Sequence, residues 1–241
     1  MRIHLYCTCW NEIRMLPHFL QHYEQFVERM FIFDNMSTDG SRELIASHPQ
    51  CDLRSLDFET SEDDITGVKR HAWKRDRSPD WILCVDIDEL IHHPNWGELL
   101  PRCKQAGYSI LAPDGWQVLS EDFPEFPDPV FTQESKGVKD VRYSKWVMFD
   151  PKKIQEINYN HGCHNANPTG EVVVYRDPAL RLLHCRYLSV EWIVERHKLL
   201  GSRLNQINLR NGWGVHYLTP EAALRTEFVE LQNRSVPIFG N

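Results

Sequence analysis

Three acids, Asp86, Asp88 and Glu89, close an apolar run in the stretch W-I-L-C-V-D-I-D-E, Trp81 to Glu89. The run is short and mixes aromatic with β-branched residues, the pattern of a buried strand. Side chains alternate along an extended chain. Asp86 and Asp88 are therefore expected on one side, roughly 6–7 Å apart, with Glu89 on the opposite face as a structural residue. Two carboxylates aimed into one crevice repel each other unless a cation lies between them or one is protonated. An all-oxygen pair suits a hard divalent ion, Mn2+ or Mg2+, that leaves positions open for phosphate oxygens. Open α/β sheets bind ligands at the carboxyl ends of their strands, where this pair would stand. A solvated acidic turn after a core strand would read the same from these residues alone.

The elements that must position the acids alternate through the first ninety residues. Ile3–Cys9 reads as a strand, and Leu16, Phe19, Leu20, Tyr23 and Val27 then recur at helical spacing, with Pro17 tolerated in the first turn. Met30–Phe33 is a second strand, and Ser37 to Ser41 is dense in turn and cap residues ahead of a short helix through Leu44 and Ile45. Cys51–Phe58 is a third strand, and Ile65, Val68 and Ala72 mark a helix carrying Lys69 and Arg70. This order predicts right-handed βαβ units and a mostly parallel sheet. In the second half, strands are expected at Tyr108–Ala112, Lys145–Phe149, Glu171–Tyr175 and Leu180–Cys185, with Asp114–Gln133 as a long loop. Ser189 caps a long helix running to Ile207, and a short one follows over Pro220–Val229.

The chain has 241 residues, room for one large domain or two small ones around a real core. It is read as a single domain, 1–241, with halves 1–100 and 101–241. A net charge of −7 argues against a nucleic-acid partner held by phosphate neutralisation. No stretch approaches the roughly 20 apolar residues of a membrane span, although peripheral docking to a membrane stays open. The start does not resemble a signal peptide, because His4 and Asn11-Glu12 interrupt its apolar run. Cysteine is odd in number, and Cys7, Cys9, Cys84 and Cys185 lie in apolar runs, as buried free thiols of a reducing cytoplasm would.

The ordered series C-W-N-E, F-I-F-D-N-M-S-T-D-G-S, G-V-K-R-H-A-W and W-I-L-C-V-D-I-D-E resembles the nucleotide-sugar half of GT-A glycosyltransferases, closest to family-two-like bacterial enzymes. The later L-L-H-C-R-Y-L-S-V-E-W is similar to the H-Y-x-x-K-S-x-E-E-F-like segment of a related group. The matches cover about residues 3–91 and, more loosely, 145–198. The resemblance implies a GT-A-like, Rossmann-like α/β fold with helices flanking a mostly parallel sheet and an irregular acceptor-side half. It implies a metal-dependent transfer from a nucleoside-diphosphate sugar, a UDP-sugar first, to a glycan, lipid-linked or other hydroxyl acceptor. The loop of Asn11 and Glu12 would lie beside the nucleoside, Asp86 would meet ribose or reach the ion through water, and Asp88 would ligate it. His184 would be a third ligand or a diphosphate contact, where a neutral imidazole completes a mixed oxygen–nitrogen site.

Each of these residues has a plainer role to set beside the chemical one. Asp34 ends the second strand, where it could accept from a base or ribose, or merely cap the next turn. Asn11 could cap a helix, Lys69 and Arg70 could meet a uracil edge or a pyrophosphate or stay solvated, and His184 could be a satisfied core histidine. His161, Cys163 and His164, with His184 or Cys185, would make a zinc site only at a non-standard spacing. His164, with Asn165 and Asn167, is instead expected in the acceptor pocket. Trp116, Phe123, Phe126 and Trp146 could stack on sugars or fill the core. An inverting transfer needs a carboxylate base. The family-two pattern that supplies it is missing here, and among Asp114, Glu121, Asp122, Glu125 and Asp128 the choice falls on Asp122. Rival readings are a sugar-phosphate nucleotidyltransferase, disfavoured by C-W-N-E in place of a glycine-rich loop, and a non-enzymatic carbohydrate- or metal-binding module. A metal-dependent hydrolase lacks its H-E-x-x-H type of motif.

Overall fold

Seven strands make one mixed sheet and five make another, and the acidic stretch lies at the seam between them. The computed structural model describes residues 1–58 and 60–239, so the last two residues of the expected 1–241 domain lie outside it. The first sheet opens with β1 (Ile3–Cys9), α1 (Leu16–Tyr23), β2 (Arg29–Asp34), α2 (Ser41–Ser47), β3 (Cys51–Ser55), α3 (Glu62–His71) and β4 (Trp81–Cys84). β1 pairs in parallel with β2 and with β4, and β2 with β3. Strand order therefore reverses direction at β1, and the crevice between the carboxyl ends of β1 and β4 is a topological switch point. β1 is buried on both faces, which explains its unbroken apolar character.

The chain then crosses into the second sheet through β5 (Glu89–His92) and turns into α4 (Trp96–Gln105), whose Lys104 lies over Trp81 and whose Arg102 reaches Tyr175. β6 (Ile110–Leu111) returns to the first sheet, and β7 (Asp114–Leu119) and β8 (Lys136–Lys139) belong to the second. β9 (Met148–Phe149) joins β4 and β6 antiparallel, β10 (Ile154–Glu156) and β11 (Thr169–Gly170) form a small ribbon, and β12 (Val174–Tyr175) ends the first sheet beside β6. β13 (Arg181–Tyr187) runs between β5 and β7. Helices α5 (Val190–Ser202), α6 (Gln206–Asn211) and α7 (Glu221–Arg234) follow, and β14 (Val236–Pro237) closes the second sheet on β8.

Three expectations need correction. The stretch Asp114–Gln133 begins as β7, the middle of the second sheet, because D-G-W-Q-V-L alternates once Gly115 is accepted inside a strand. The long helix to Ile207 stops at Ser202 and restarts as α6, where the Asn205 side chain accepts from the Asn208 backbone at 2.9 Å. α1 ends at Tyr23, and Val27 keeps the apolar rhythm only because the turn that carries it is still packed in the core.

Gly115 shapes the site directly. A Cβ there would stand 2.3 Å from the Tyr143 carbonyl carbon and 2.6 Å from the Asp140 oxygen, both backbone. The missing side chain lets residues 140–144 cross β7 at contact distance, and the Asp140 backbone N–H donates to the Gly115 carbonyl at 2.8 Å. G115A is expected to lose about 2 kcal/mol or more, a fall in Tm of about 5 °C for a chain of this size. Thermal unfolding checks it.

Candidate active site at the seam of the two sheets

β4 ends at Cys84, so strand alternation does not govern the acids that follow. A tight turn does: the Glu89 backbone N–H donates to the Asp86 carbonyl, and the Asp86 N–H donates to a Glu89 carboxylate oxygen, both at 3.0 Å. Glu89 is thus held inside, 1% exposed, rather than facing away. Asp86, Asp88 and Glu89 all line one cavity of about 380 Å3, together with Glu12 and Glu62.

The protein's own cations pair with both aspartates. Asp86 is paired with Lys69, and Lys145 stands 3.5 Å away while also pairing with Glu89. Burial opposes ionisation of Asp86, but Lys69 and Lys145 outweigh it and hold the carboxyl at about 2. The Asp86 and Glu89 carboxylates raise both lysines in turn, against the opposing effect of burial. Asp88 faces a different set. Arg196 lies 3.2 Å and the His184 Nε2 3.4 Å from one of its oxygens, and against burial the Arg196 guanidinium holds it well below the ordinary carboxylate range. Arg196 also pairs with Glu12, whose carboxyl is pushed up to about 7 by burial despite that contact. Of the five carboxylates lining the cavity, only Glu62 has no cation within 4 Å among the described residues. One of its oxygens accepts from the Gly162 backbone at 3.0 Å.

His184 is oriented from behind. The Gln117 amide nitrogen donates to Asp140 at 3.1 Å, so its oxygen is the atom 2.7 Å from the His184 Nδ1. An amide oxygen only accepts, so Nδ1 carries a proton, and in the neutral ring the lone pair is on Nε2. Tyr143 stacks on the ring at 4.0 Å. Two Lewis bases, the Nε2 lone pair and the Asp88 carboxylate, therefore face each other across 3.4 Å, a gap that suits a cation. Among the described residues no three His, Cys, Asp or Glu side chains converge to cage an ion alone. Asp88 and His184 would give two donors to an ion that takes the rest from phosphate and water, a mixed oxygen–nitrogen set that suits Mn2+ better than the oxygen-seeking Mg2+.

The remaining expected residues divide between the cavity and the frame around it. Glu12 and His164 line the cavity, and His164 also bonds the Arg142 carbonyl at 2.9 Å. Asn11 does not cap a helix; it adopts φ 52° and accepts from the Thr38 backbone at 2.8 Å, tying the first loop to the second. Asp34 is fully buried in its own turn, receiving Ser37 N–H at 3.3 Å and Arg42 at 3.2 Å, while its neighbour Asn35 reaches the cavity. Lys69 is buried against Asp86, whereas Arg70 is spent on the Tyr159 carbonyl and Asp63. Trp116 packs into the core, and Asp122 sits exposed beyond β7; neither lines the cavity. Of the other aromatics, Phe123 packs on Trp192 and Trp146 on the smaller core. The rings that line the cavity are Trp10, Tyr143, Trp213 and Tyr217. Cys163 is a buried free thiol, raised to about 11 by burial, and among the described residues it joins no group of three side chains that could hold zinc.

Sequence reasoning missed Lys145, Arg196, Arg203 and Glu62. α5 carried a usable signal, since Trp192, Arg196, Leu200 and Arg203 share one helix face and the last three line the cavity.

No protein-family model matches the chain, and no curated protein matches its sequence. Solved structures do. A 1–349 fragment of Staphylococcus aureus TarS superposes with a TM-score of 0.50 at 14% identity, over 84% of this chain and 65% of that one. This chain therefore spans just under two thirds of the fragment's length. The same fragment in complex with UDP matches at 0.49 and 14% identity, over 97% and 71% of the two chains, and in complex with UDP-GlcNAc at 0.47 and 12%, over 97% and 72%. Strand order and this likeness together give the chain a GT-A-like mixed α/β fold, a central mostly parallel sheet flanked by helices.

Proposed function

We propose that the chain transfers a glycosyl unit from a nucleoside-diphosphate sugar, a UDP-sugar first, to a hydroxyl acceptor, with Mn2+ or Mg2+ held by Asp88 and His184. The observation that carries the reading is the Asp88–His184 pair, set by Gln117 and Asp140 at the switch point. A bound ion there supplies charge neutralisation to the departing diphosphate. The chain's own residues do the rest. Lys69, Lys145 and Arg196 offset part of the charge of the five acids, which lessens the repulsion an entering diphosphate meets. Trp10, Asn35 and Leu56, at the carboxyl ends of the first strands, receive the nucleoside. Tyr143, His164 and Trp213 form the opposite wall, where an acceptor sugar would stack. With Asp122 outside the cavity, Glu62 becomes the better candidate to accept the acceptor proton.

UDP and UDP-GlcNAc, bound by the TarS fragment, are the first probes. With Mn2+ the right donor is expected to raise Tm, by about 2.7 kcal/mol of stabilisation at a hundredfold excess over Kd. Chelation by EDTA should remove most of that gain. A panel of nucleotide sugars that moves Tm equally with and without metal would defeat the metal-dependent reading. Zinc recovered from purified protein with no nucleotide response would favour the binding-module rival.

A further inference from the structure

One carboxylate oxygen of Asp88 faces two neighbours. The Arg196 Nη2 stands 3.2 Å from it, and the His184 Nε2 stands 3.4 Å from the same atom. Arg196 reaches it from the middle of α5, and its other terminal nitrogen, Nη1, pairs with Glu12 in the loop after β1. The guanidinium is therefore forked between two acids of the cavity, with 11% of its side chain exposed and the Trp192 ring 5.4 Å away. Lys69 and Lys145 pair with Asp86 and Glu89 instead.

A divalent cation shared by Asp88 and His184 must approach the oxygen that Arg196 already holds, and two cations side by side in a site shielded from water repel each other strongly. We propose that Arg196 and the ion exclude one another at Asp88, and that the guanidinium passes from Asp88 to the donor diphosphate as the ion enters. Glu12 makes the exchange possible. Nη1 keeps its partner while Nη2 turns away, so the buried guanidinium is never left alone. Phosphate oxygens in the same cavity then replace Asp88 as acceptors, a role that the planar fork of arginine suits. The ion by itself strips Arg196 of one anion and offers none in return, so it binds weakly. Ion and diphosphate together restore the balance, and each raises the affinity of the other. This inference rests on the glycosyl-transfer reading and its metal pair.

Uptake of Mn2+ by the full chain is followed by electron paramagnetic resonance of the free ion, with and without UDP. R196M is expected to bind Mn2+ alone about tenfold more tightly than wild type, and to lose about tenfold of the factor by which UDP improves that affinity. E12Q should do the opposite, weakening Mn2+ alone several-fold, because the arginine is then left with Asp88. Should the stranded Glu12 of R196M prevent folding, E12Q/R196M removes that charge too and is compared with E12Q, over which it should gain about tenfold. Arginine-free variants that bind Mn2+ alone no more tightly than their parents, or whose UDP coupling is undiminished, would overturn the exchange and leave the glycosyl-transfer reading standing. Wild-type protein that takes up no Mn2+ even with UDP would overturn the metal-dependent reading, and the exchange with it.

Discussion

D88N is expected to lose Mn2+-dependent UDP affinity by about 100-fold or more, since removing even an outer partner of a metal ligand typically costs 10–100-fold. Transfer should fall by about 10^3, the scale of losing one preorganised charge at a developing anion. The amide keeps the shape of Asp88 but cannot neutralise a cation held against the Nε2 of His184, 3.4 Å away. Arg196 retains its pairing with Glu12 in this variant, so the fold should survive and unfolding should change little. Q117A gives an independent check: freeing the His184 ring should weaken Mn2+ binding by about tenfold while leaving metal-free UDP binding as it was. Calorimetry of UDP with Mn2+ and with EDTA reads both variants. A D88N protein with wild-type metal dependence would sink the assignment of this pair.

The acids themselves were legible because they sit at the end of an unmistakable buried run, Trp81–Val85, and the alternation of β1 to β4 fixed which end of the sheet they occupy. What neutralises them was not legible. Lys145 reaches Glu89 and Asp86 from 56 and 59 residues away, and Arg196 closes on Asp88 and Glu12 from a helix near the other end of the chain. Pairings across that sequence distance leave no periodic trace. Asp34 misled for a local reason: a carboxylate at a strand end looks the same whether it faces a ligand or its own turn, and here Ser37 and Arg42 claim it. β5 and α4 drew no assignment from the sequence: His92-His93-Pro94 break the apolar pattern, and Gly97 and Pro101 are poor helix formers, although Asn95 caps a helix that contains both. The base assignment to Asp122 followed composition alone, and β7 carries the chain past the cavity before that residue is reached.

K145M should be the most destabilising single change at the site, and its rescue separates structure from ligand binding. Lys145 is 3% exposed and is paired with Glu89, itself 1% exposed. Asp86 keeps Lys69 when Lys145 is removed, but Glu89 is left as a buried carboxylate without a cation. Leaving one member of a buried pair alone costs about 3–5 kcal/mol, or roughly 6–20 °C in Tm for a chain of this length. Adding E89Q removes the stranded charge while keeping an oxygen to accept the Asp86 backbone N–H, so K145M/E89Q is expected to recover most of the loss. A double variant as unstable as K145M would show that Lys145 acts through packing rather than charge. If the double variant regains stability yet binds UDP several-fold more weakly than wild type, the lysine also serves the diphosphate, because Asp86 then faces the cavity with one neutralising partner in place of two.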